Sequence, residues 1–305
     1  MKEITHSDYL EFIGDHSEVA IGDTGVKLSH EWCIEAYTPP DNYHPEKETV
    51  WSFPSRGNWA THQGDYRGNW SPYVPRNLIL KYTKQGDWVL DQMVGSGTTL
   101  VECKLLGRNA IGVDVNPNAI MVTRDRLNFR YAPPNVDEAE STIRTYVGDA
   151  RNLNELSSES IDLVATHPPY ARIISYTKKT TGVVEGDLSR LPLNNYLTEM
   201  RKVAGESLRV LKPDKYCAIL MGDTRKQRHY VPIAFKIMQI FLEAGFILKE
   251  DIIKRQWKMK GTREKWRGRY QDFYLIAHEH IFVFRKPLDS KEFSKHKNSS
   301  STIIF

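Results

Sequence analysis

Ile161-Asp162-Leu163-Val164-Ala165-Thr166-His167-Pro168-Pro169-Tyr170 joins an apolar run to two prolines and an aromatic ring. A short apolar run of this kind reads as a strand covered on both faces, the habit of a parallel sheet. Proline donates no ladder hydrogen bond and fixes φ, so the pair stops the strand and holds an extended loop at its carboxyl end. Ligands of open α/β sheets bind at such ends. A rigid loop offering backbone carbonyls and one flat ring suits a planar base.

The neighbouring sequence supplies the rest of that sheet. Helix is expected from Pro75 through Tyr82, with Gly86 as its stop, and strand at Trp88-Val89-Leu90. Further strands are read at 110–115, 145–147, 161–165, 216–221, 247–253 and 281–284. Helices are read at 98–106, from Pro117, at 193–211 and at 230–244. Strands alternating with helices predict a mostly parallel, seven-stranded α/β sheet with helices on both faces. No helix separates the last two strands, so that edge is expected to be antiparallel. Residues 1–50 read as an extension. Residues 51–75, rich in Trp, Gly, Arg and Asn, read as a functional loop rather than core. The polar, serine-rich stretch 288–305 is expected to be mobile.

Composition narrows the class. Of 305 residues, 40% are hydrophobic and 26% charged, enough for a large core and against wholesale disorder. No apolar run approaches the ~20 residues of a membrane span, and the first residues lack the pattern of a secretory signal. Cys33, Cys103 and Cys217 are scattered, which argues against a disulfide framework or zinc site and fits the cytoplasm. The net charge of +4 leaves the partner open.

The first strand runs into Asp91-Gln92-Met93-Val94-Gly95-Ser96-Gly97-Thr98-Thr99. Two glycines one residue apart allow a tight turn and close backbone approach to a ligand, and the following helix start offers free amides. Asp114, at the end of the second strand and about 20 residues on, suits a ribose diol. Asn116 follows it, and Gly148-Asp149-Ala150 closes the third strand. Leu100 stands where the dinucleotide fingerprint needs a third glycine, and no triphosphate loop is present. A nucleoside cofactor without a pyrophosphate remains.

Taken together, these residues resemble the S-adenosylmethionine-dependent DNA methyltransferases that modify exocyclic amines, cytosine N4 or adenine N6. Asp91 to Thr99 looks like their glycine-rich motif, with Met93 in the usual phenylalanine position. Asp114 looks like their ribose-binding acid, Asp149 like the residue that reads adenine, and Thr166 to Tyr170 like their catalytic loop. Trp70-Ser71-Pro72 falls where the methionine-side motif lies. The resemblance spans about residues 66–286 and implies a Rossmann-like methyltransferase fold over 51–287. It implies S-adenosylmethionine held by Trp70, Ser71, Asp91, Gly95, Ser96, Gly97, Thr98, Asp114, Asn116, Asp149 and Ala150, and catalysis by His167, Pro168, Pro169 and Tyr170.

His167 occupies a position that the family fills with Asp, Asn or Ser. Its neutral imidazole can accept a hydrogen bond from the target amine. Activity is then expected to fall below the pKa of this histidine, and a profile flat down to pH 5 contradicts the role. The Pro168 carbonyl is the expected second acceptor, and Tyr170 the platform for a flipped base. Thr166 favours cytosine N4 over adenine N6, and C5 methylation lacks its Pro-Cys nucleophile.

Residues 254–269 hold eight Lys or Arg and one acid. Lys254, Arg255, Lys258, Lys260, Arg263, Lys265, Arg267 and Arg269 are expected on phosphates, with Trp257 and Trp266 interleaved. Lys178 and Lys179, in the segment 171–190, are expected to close over the DNA. His278-Glu279-His280 reads as structural, its histidines on one face and Glu279 on the other. The expected partners are double-stranded DNA and a cognate restriction endonuclease, with no metal and no membrane. Alternative readings are a non-catalytic DNA-binding subunit and a methyltransferase acting on RNA or a protein amide.

Overall fold

The computed structural model describes residues 1–22, 24–29, 31–66, 68–131, 141–171, 184–257 and 272–300. Its elements, in chain order, are β1 (Lys2–Ile4), α1 (His6–Asp15), β2 (Glu18–Ile21), β3 (Thr24–Lys27), β4 (Val50–Ser52), α2 (Tyr73–Tyr82) and β5 (Trp88–Asp91). There follow α3 (Thr98–Leu105), β6 (Asn109–Asp114), α4 (Pro117–Leu127), β7 (Ile143–Val147), β8 (Ile161–Thr166) and α5 (Leu193–Val210). The chain continues through β9 (Leu211–Met221), β10 (Thr224–Lys226), β11 (His229–Val231), α6 (Ile233–Glu243), β12 (Ile247–Arg255), β13 (His278–Arg285) and α7 (Ser290–Lys295).

One large sheet has the order β1-β7-β6-β5-β8-β9-β13-β12-β4. Strands β7, β6, β5, β8 and β9 are parallel, and β13 is antiparallel to β9 and β12. These are the seven strands expected. The extension adds two more, because β1 pairs antiparallel with β7 and β4 pairs parallel with β12. A boundary at residue 50 therefore cuts through β4.

Period-two alternation gives the sheet two apolar faces. Leu90, Ile111, Val164, Ile219 and Phe282 join one buried cluster with α5 and α6. Val89, Ala110, Leu163, Leu220 and Ile281 join the other, with α2 and α3. The one acid of the β8 run, Asp162, is tolerated at the strand's entry because Lys212 (2.8 Å), Lys215 (3.2 Å) and the Trp88 amide satisfy it.

One expectation is corrected. Trp51, Trp59 and Trp70 are buried core residues, where a functional loop rather than core is expected. Trp59 Nε1 donates to the buried Glu102 (2.7 Å), which also holds His62 and Arg76, so these three residues are pinned to α3. Within 288–305, residues Ser290–Lys295 form α7. Asp289 caps that helix and Glu292 reaches back to Arg285 and the Leu288 amide. No helix among the described residues is long and apolar enough to cross a membrane.

Candidate cofactor and base pocket

Strand β5 has β6 on one side and β8 on the other, so chain direction across the sheet reverses between β5 and β8. Clefts open at such a switch point, beyond the carboxyl ends of the strands. A cavity of about 330 Å³ lies there. Its walls include Asp91, Gly95, Ser96, Thr98, Asp114, Asn116, Asp149, Ala150, Trp70, and His167 through Tyr170. The ends of β5 and β6 and the residues just after β7 and β8 thus meet in one space.

Asp91 fixes the floor. It accepts from Thr166 Oγ1 (2.9 Å), from Thr99 and from the Met93 amide (3.2 Å), tying β5 to β8 and α3. Burial raises its carboxyl to about 6, against these hydrogen bonds. Thr166 spends its hydroxyl here and does not line the cavity. The turn that follows needs its glycines. Gly95 and Gly97 have φ of 53° and 80°. A Cβ on Gly97 would meet the Thr123 side chain at 2.9 Å, and one on Gly95 the Tyr66 ring at 3.1 Å. Gly97 therefore serves packing rather than lining. Ser71 likewise donates to the Arg56 carbonyl (2.7 Å) and stays outside the cavity.

Asp114 accepts from the Gly95 amide (3.0 Å) and the Asn116 amide (2.9 Å), one on each oxygen. A second lone pair on each oxygen is left for a ribose diol. Asn116 caps α4 through the Asn118 amide. Burial raises the Asp114 carboxyl to about 6, partly offset by the two amides. The carboxylate therefore accepts strongly above pH 6 and is lost as an anion below it. Nucleoside affinity is expected to weaken as pH falls from 7 to 5, by up to about tenfold per unit below 6. Calorimetric titration with S-adenosylmethionine across this range checks it. Asp114→Asn should flatten the dependence, and a flat wild-type profile would refute the assignment.

Asp149 is paired with Arg151, which donates Nε–H, Nη2–H and its backbone amide to the carboxylate, three donors for about four acceptor sites. Burial would raise this carboxyl, but Arg151 outweighs it and holds the group below its usual value. About one acceptor site is thus left on the carboxylate for a further donor. Gly186 lies against this pair (φ 87°), and Val184 and residues 186–189 form a cavity wall. Tyr66, Asp187 and the β2 end at Ile21 and Gly22 are further walls that the sequence reading does not assign. Tyr66 is the most accessible of these from sequence, since it lies within the aromatic stretch 51–75.

The double-proline loop meets the cavity from β8. The rings of His167 and Trp70 stack at 6.1 Å, and His167 Nε2 lies 3.3 Å from Tyr170 Oη. Burial drives His167 down to about 4; Glu279 and the Gly68 backbone favour its cation, and Lys254 opposes it. The imidazole is neutral at physiological pH and can accept a hydrogen bond. Tyr170 Oη donates to Glu279 (2.7 Å), and Lys254, expected on a phosphate, instead pairs with Glu279 (2.8 Å). Arg255 is exposed, with its guanidinium over Trp257 at 4.4 Å. Lys178, Lys179, Lys258, Lys260, Arg263, Lys265, Arg267 and Arg269 lie outside the described residues. Among the described residues, no three His, Cys, Asp or Glu side chains are grouped to hold a metal.

Comparison with known proteins bears on the family. A DNA methylase family model for N6 and N4 enzymes matches residues 7–125 and 161–302. The chain is 47% identical over 55 residues to the Type II methyltransferase M2.DpnII of Streptococcus pneumoniae, covering 18% of this chain and 20% of that protein. It is 30% identical over 162 residues to M.MthZI of Methanothermobacter thermautotrophicus, covering 48% and 45%. It is 34% identical over 122 residues to a tRNA (guanine(10)-N2)-dimethyltransferase of Methanocaldococcus jannaschii, covering 40% and 33%. The matched segments thus span less than half of these relatives. A SAM-dependent methyltransferase structure from Methanosarcina mazei aligns with TM-score 0.46 at 16% identity, over 70% of this chain and 98% of that one. With its family model matching most of the sequence, the chain belongs to the N6/N4 DNA methylase family.

Proposed function

We propose that this protein transfers a methyl group from S-adenosylmethionine to the exocyclic amine of a base flipped out of duplex DNA. One observation carries the reading: the neutral His167 and the ribose-suited Asp114 face the same cavity. Its size falls in the range of small-molecule pockets, and its walls combine apolar Met93, Val94 and Ala150 with acceptors at each strand end. Asp114 would hold the ribose, the Gly95–Thr98 turn the close backbone side, and Trp70 and Asn69 the methionine end. When bound, the cofactor supplies a methyl group activated by a sulfonium.

The amine of cytosine or adenine is a poor nucleophile, because its lone pair is conjugated with the ring. His167 and the Pro168 carbonyl would accept its two protons and free that lone pair. Holding both partners in line contributes up to ~7–11 kcal/mol. Extruding the base costs a few kcal/mol, and the Tyr170 ring offsets part of it by stacking. Cytosine N4 stands ahead of adenine N6 only on the resemblance carried by Thr166, whose hydroxyl is turned onto Asp91. Similarity to a tRNA guanine-N2 enzyme favours RNA as the second reading, since that too is an exocyclic amine.

Incubation with radiolabelled S-adenosylmethionine and either duplex DNA or RNA separates these readings. Label in DNA, recovered as an N-methylated nucleoside, is the expected result. Label in RNA alone transfers the assignment to the second reading, and label in neither removes both.

A further inference from the structure

Four side chains form one connected series beneath the cavity. His167 Nε2 lies 3.3 Å from Tyr170 Oη, Tyr170 Oη donates to Glu279 Oε1 at 2.7 Å, and Lys254 Nζ donates to Glu279 Oε2 at 2.8 Å. Lys254 and Glu279 are cross-strand neighbours on β12 and β13, and both are largely buried. The approach is tight: a Cβ on Gly222, at the end of β9, would meet Tyr170 Oη at 2.9 Å and Glu279 Cγ at 3.4 Å. Glycine at this position leaves room for the phenol to reach the carboxylate.

We propose that Glu279, braced by Lys254, is a positioning residue that acts through Tyr170 to fix the tautomer of His167. The reasoning is proton counting. An ionised carboxylate only accepts, so the single phenol proton of Tyr170 goes to Glu279. The Tyr170 oxygen then presents a lone pair to His167, and Nε2 must carry hydrogen to meet it. A neutral imidazole has one N–H, so Nδ1 becomes the acceptor nitrogen. Nδ1 is the ring nitrogen with no partner at hydrogen-bond geometry among the described residues, and the Gly68 backbone beside the ring, which favours the cation, is the acceptor that competes for the imidazole proton. Lys254 keeps Glu279 ionised: burial pushes that carboxyl up, while the Lys254 ammonium and the hydrogen bonds from Lys254 and Tyr170 help to hold it below its usual value. The series also keeps the Tyr170 ring from rotating away from the cavity. The catalytic consequence rests on the function proposed above, whereas the tautomer does not.

Nitrogen-15 correlation spectra of the histidine-labelled full chain read the tautomer directly, with His167→Asn identifying the resonance. In the wild type the proton is expected on Nε2. Glu279→Gln should release that preference and lower kcat for DNA methylation by about 10²-fold, the scale of a misplaced reacting group, with little change in the S-adenosylmethionine Kd. Glu279→Gln leaves Lys254 buried without its partner. The double variant Glu279→Gln/Lys254→Met and the ring-preserving Tyr170→Phe therefore carry the same test if the single variant fails to fold.

A wild-type proton on Nδ1, or a tautomer and kcat unchanged in all three variants, overturns the proposal. A protein that methylates no nucleic acid yet shows Nε2–H, lost on breaking the series, keeps this assignment while the function falls. Methylation with the proton on Nδ1 does the reverse: the function stands and the tautomer assignment falls.

Discussion

His167→Ala is expected to lower the rate of methyl transfer at saturating cofactor by about 10²–10⁴-fold, the range over which a positioned proton acceptor acts. Alanine removes the imidazole that would take an amine proton and leaves only the Pro168 carbonyl. His167→Asn should recover part of the loss, because an amide oxygen accepts hydrogen bonds. Cofactor affinity should stay near wild type in both, since Asp91 and Asp114 make their hydrogen bonds without this ring. The pH profile supplies an independent check, and here the structure revises the sequence-based expectation. An ordinary histidine titrates near 6.5, but burial lowers His167 to about 4. The acceptor form therefore persists through pH 5, and kcat at saturating cofactor should stay flat there and fall only towards pH 4. Flatness down to pH 5 no longer counts against the imidazole. A kcat that declines already at pH 6.5 would, as would a His167→Ala variant with full turnover on duplex DNA.

The contrast between what the sequence reveals and what it hides follows from interaction range. Strands β5, β6, β8 and β9 are readable because each contains a run of mostly apolar residues bounded by glycine, proline or a charged turn. Asp91, Asp114 and Asp149 are readable because a polar residue at the end of such a run has few structural reasons to be there. Strands β1 and β4 have three residues each, too few to show alternation, and exist because distant edges pair with them. The tryptophans of 51–70 mislead because their neighbours are polar. What holds them lies far along the chain or across a turn: Trp59 donates to Glu102 of α3, Trp70 stacks on His167 and Trp51 sits on β4 beside β12. Glu279 is expected to face away from His278 and His280, and it does so on β13, where it reaches Tyr170 while His280 reaches Asp251. Its destination beside Tyr170 depends on Gly222 and Lys254, which no local pattern links to residue 279.

Asp114→Ala is expected to do the reverse of His167→Ala. It should weaken S-adenosylmethionine binding and leave the rate at saturating cofactor close to wild type. A hydrogen bond to a charged group contributes about 1.5–3 kcal/mol, which at 1.4 kcal/mol per decade corresponds to a Kd raised about 10- to 150-fold. Part of the loss is indirect. Asp114 holds the Gly95 amide at 3.0 Å and the Asn116 amide at 2.9 Å, so its removal also loosens the glycine turn and the entry to α4. Asp114→Asn separates the two contributions. Its amide retains an oxygen for one backbone N–H but lacks the charge and the second acceptor, so it should fall between wild type and alanine at pH 8. Near pH 5, where the native carboxyl is itself mostly protonated, Asp114→Asn and wild type should converge. Convergence requires the carboxylate, rather than the shape of the residue, to hold the ribose. If calorimetry shows the alanine variant binding as tightly as wild type at pH 8, the ribose must lie elsewhere, and the placement of the cofactor over β5 and β6 fails with it.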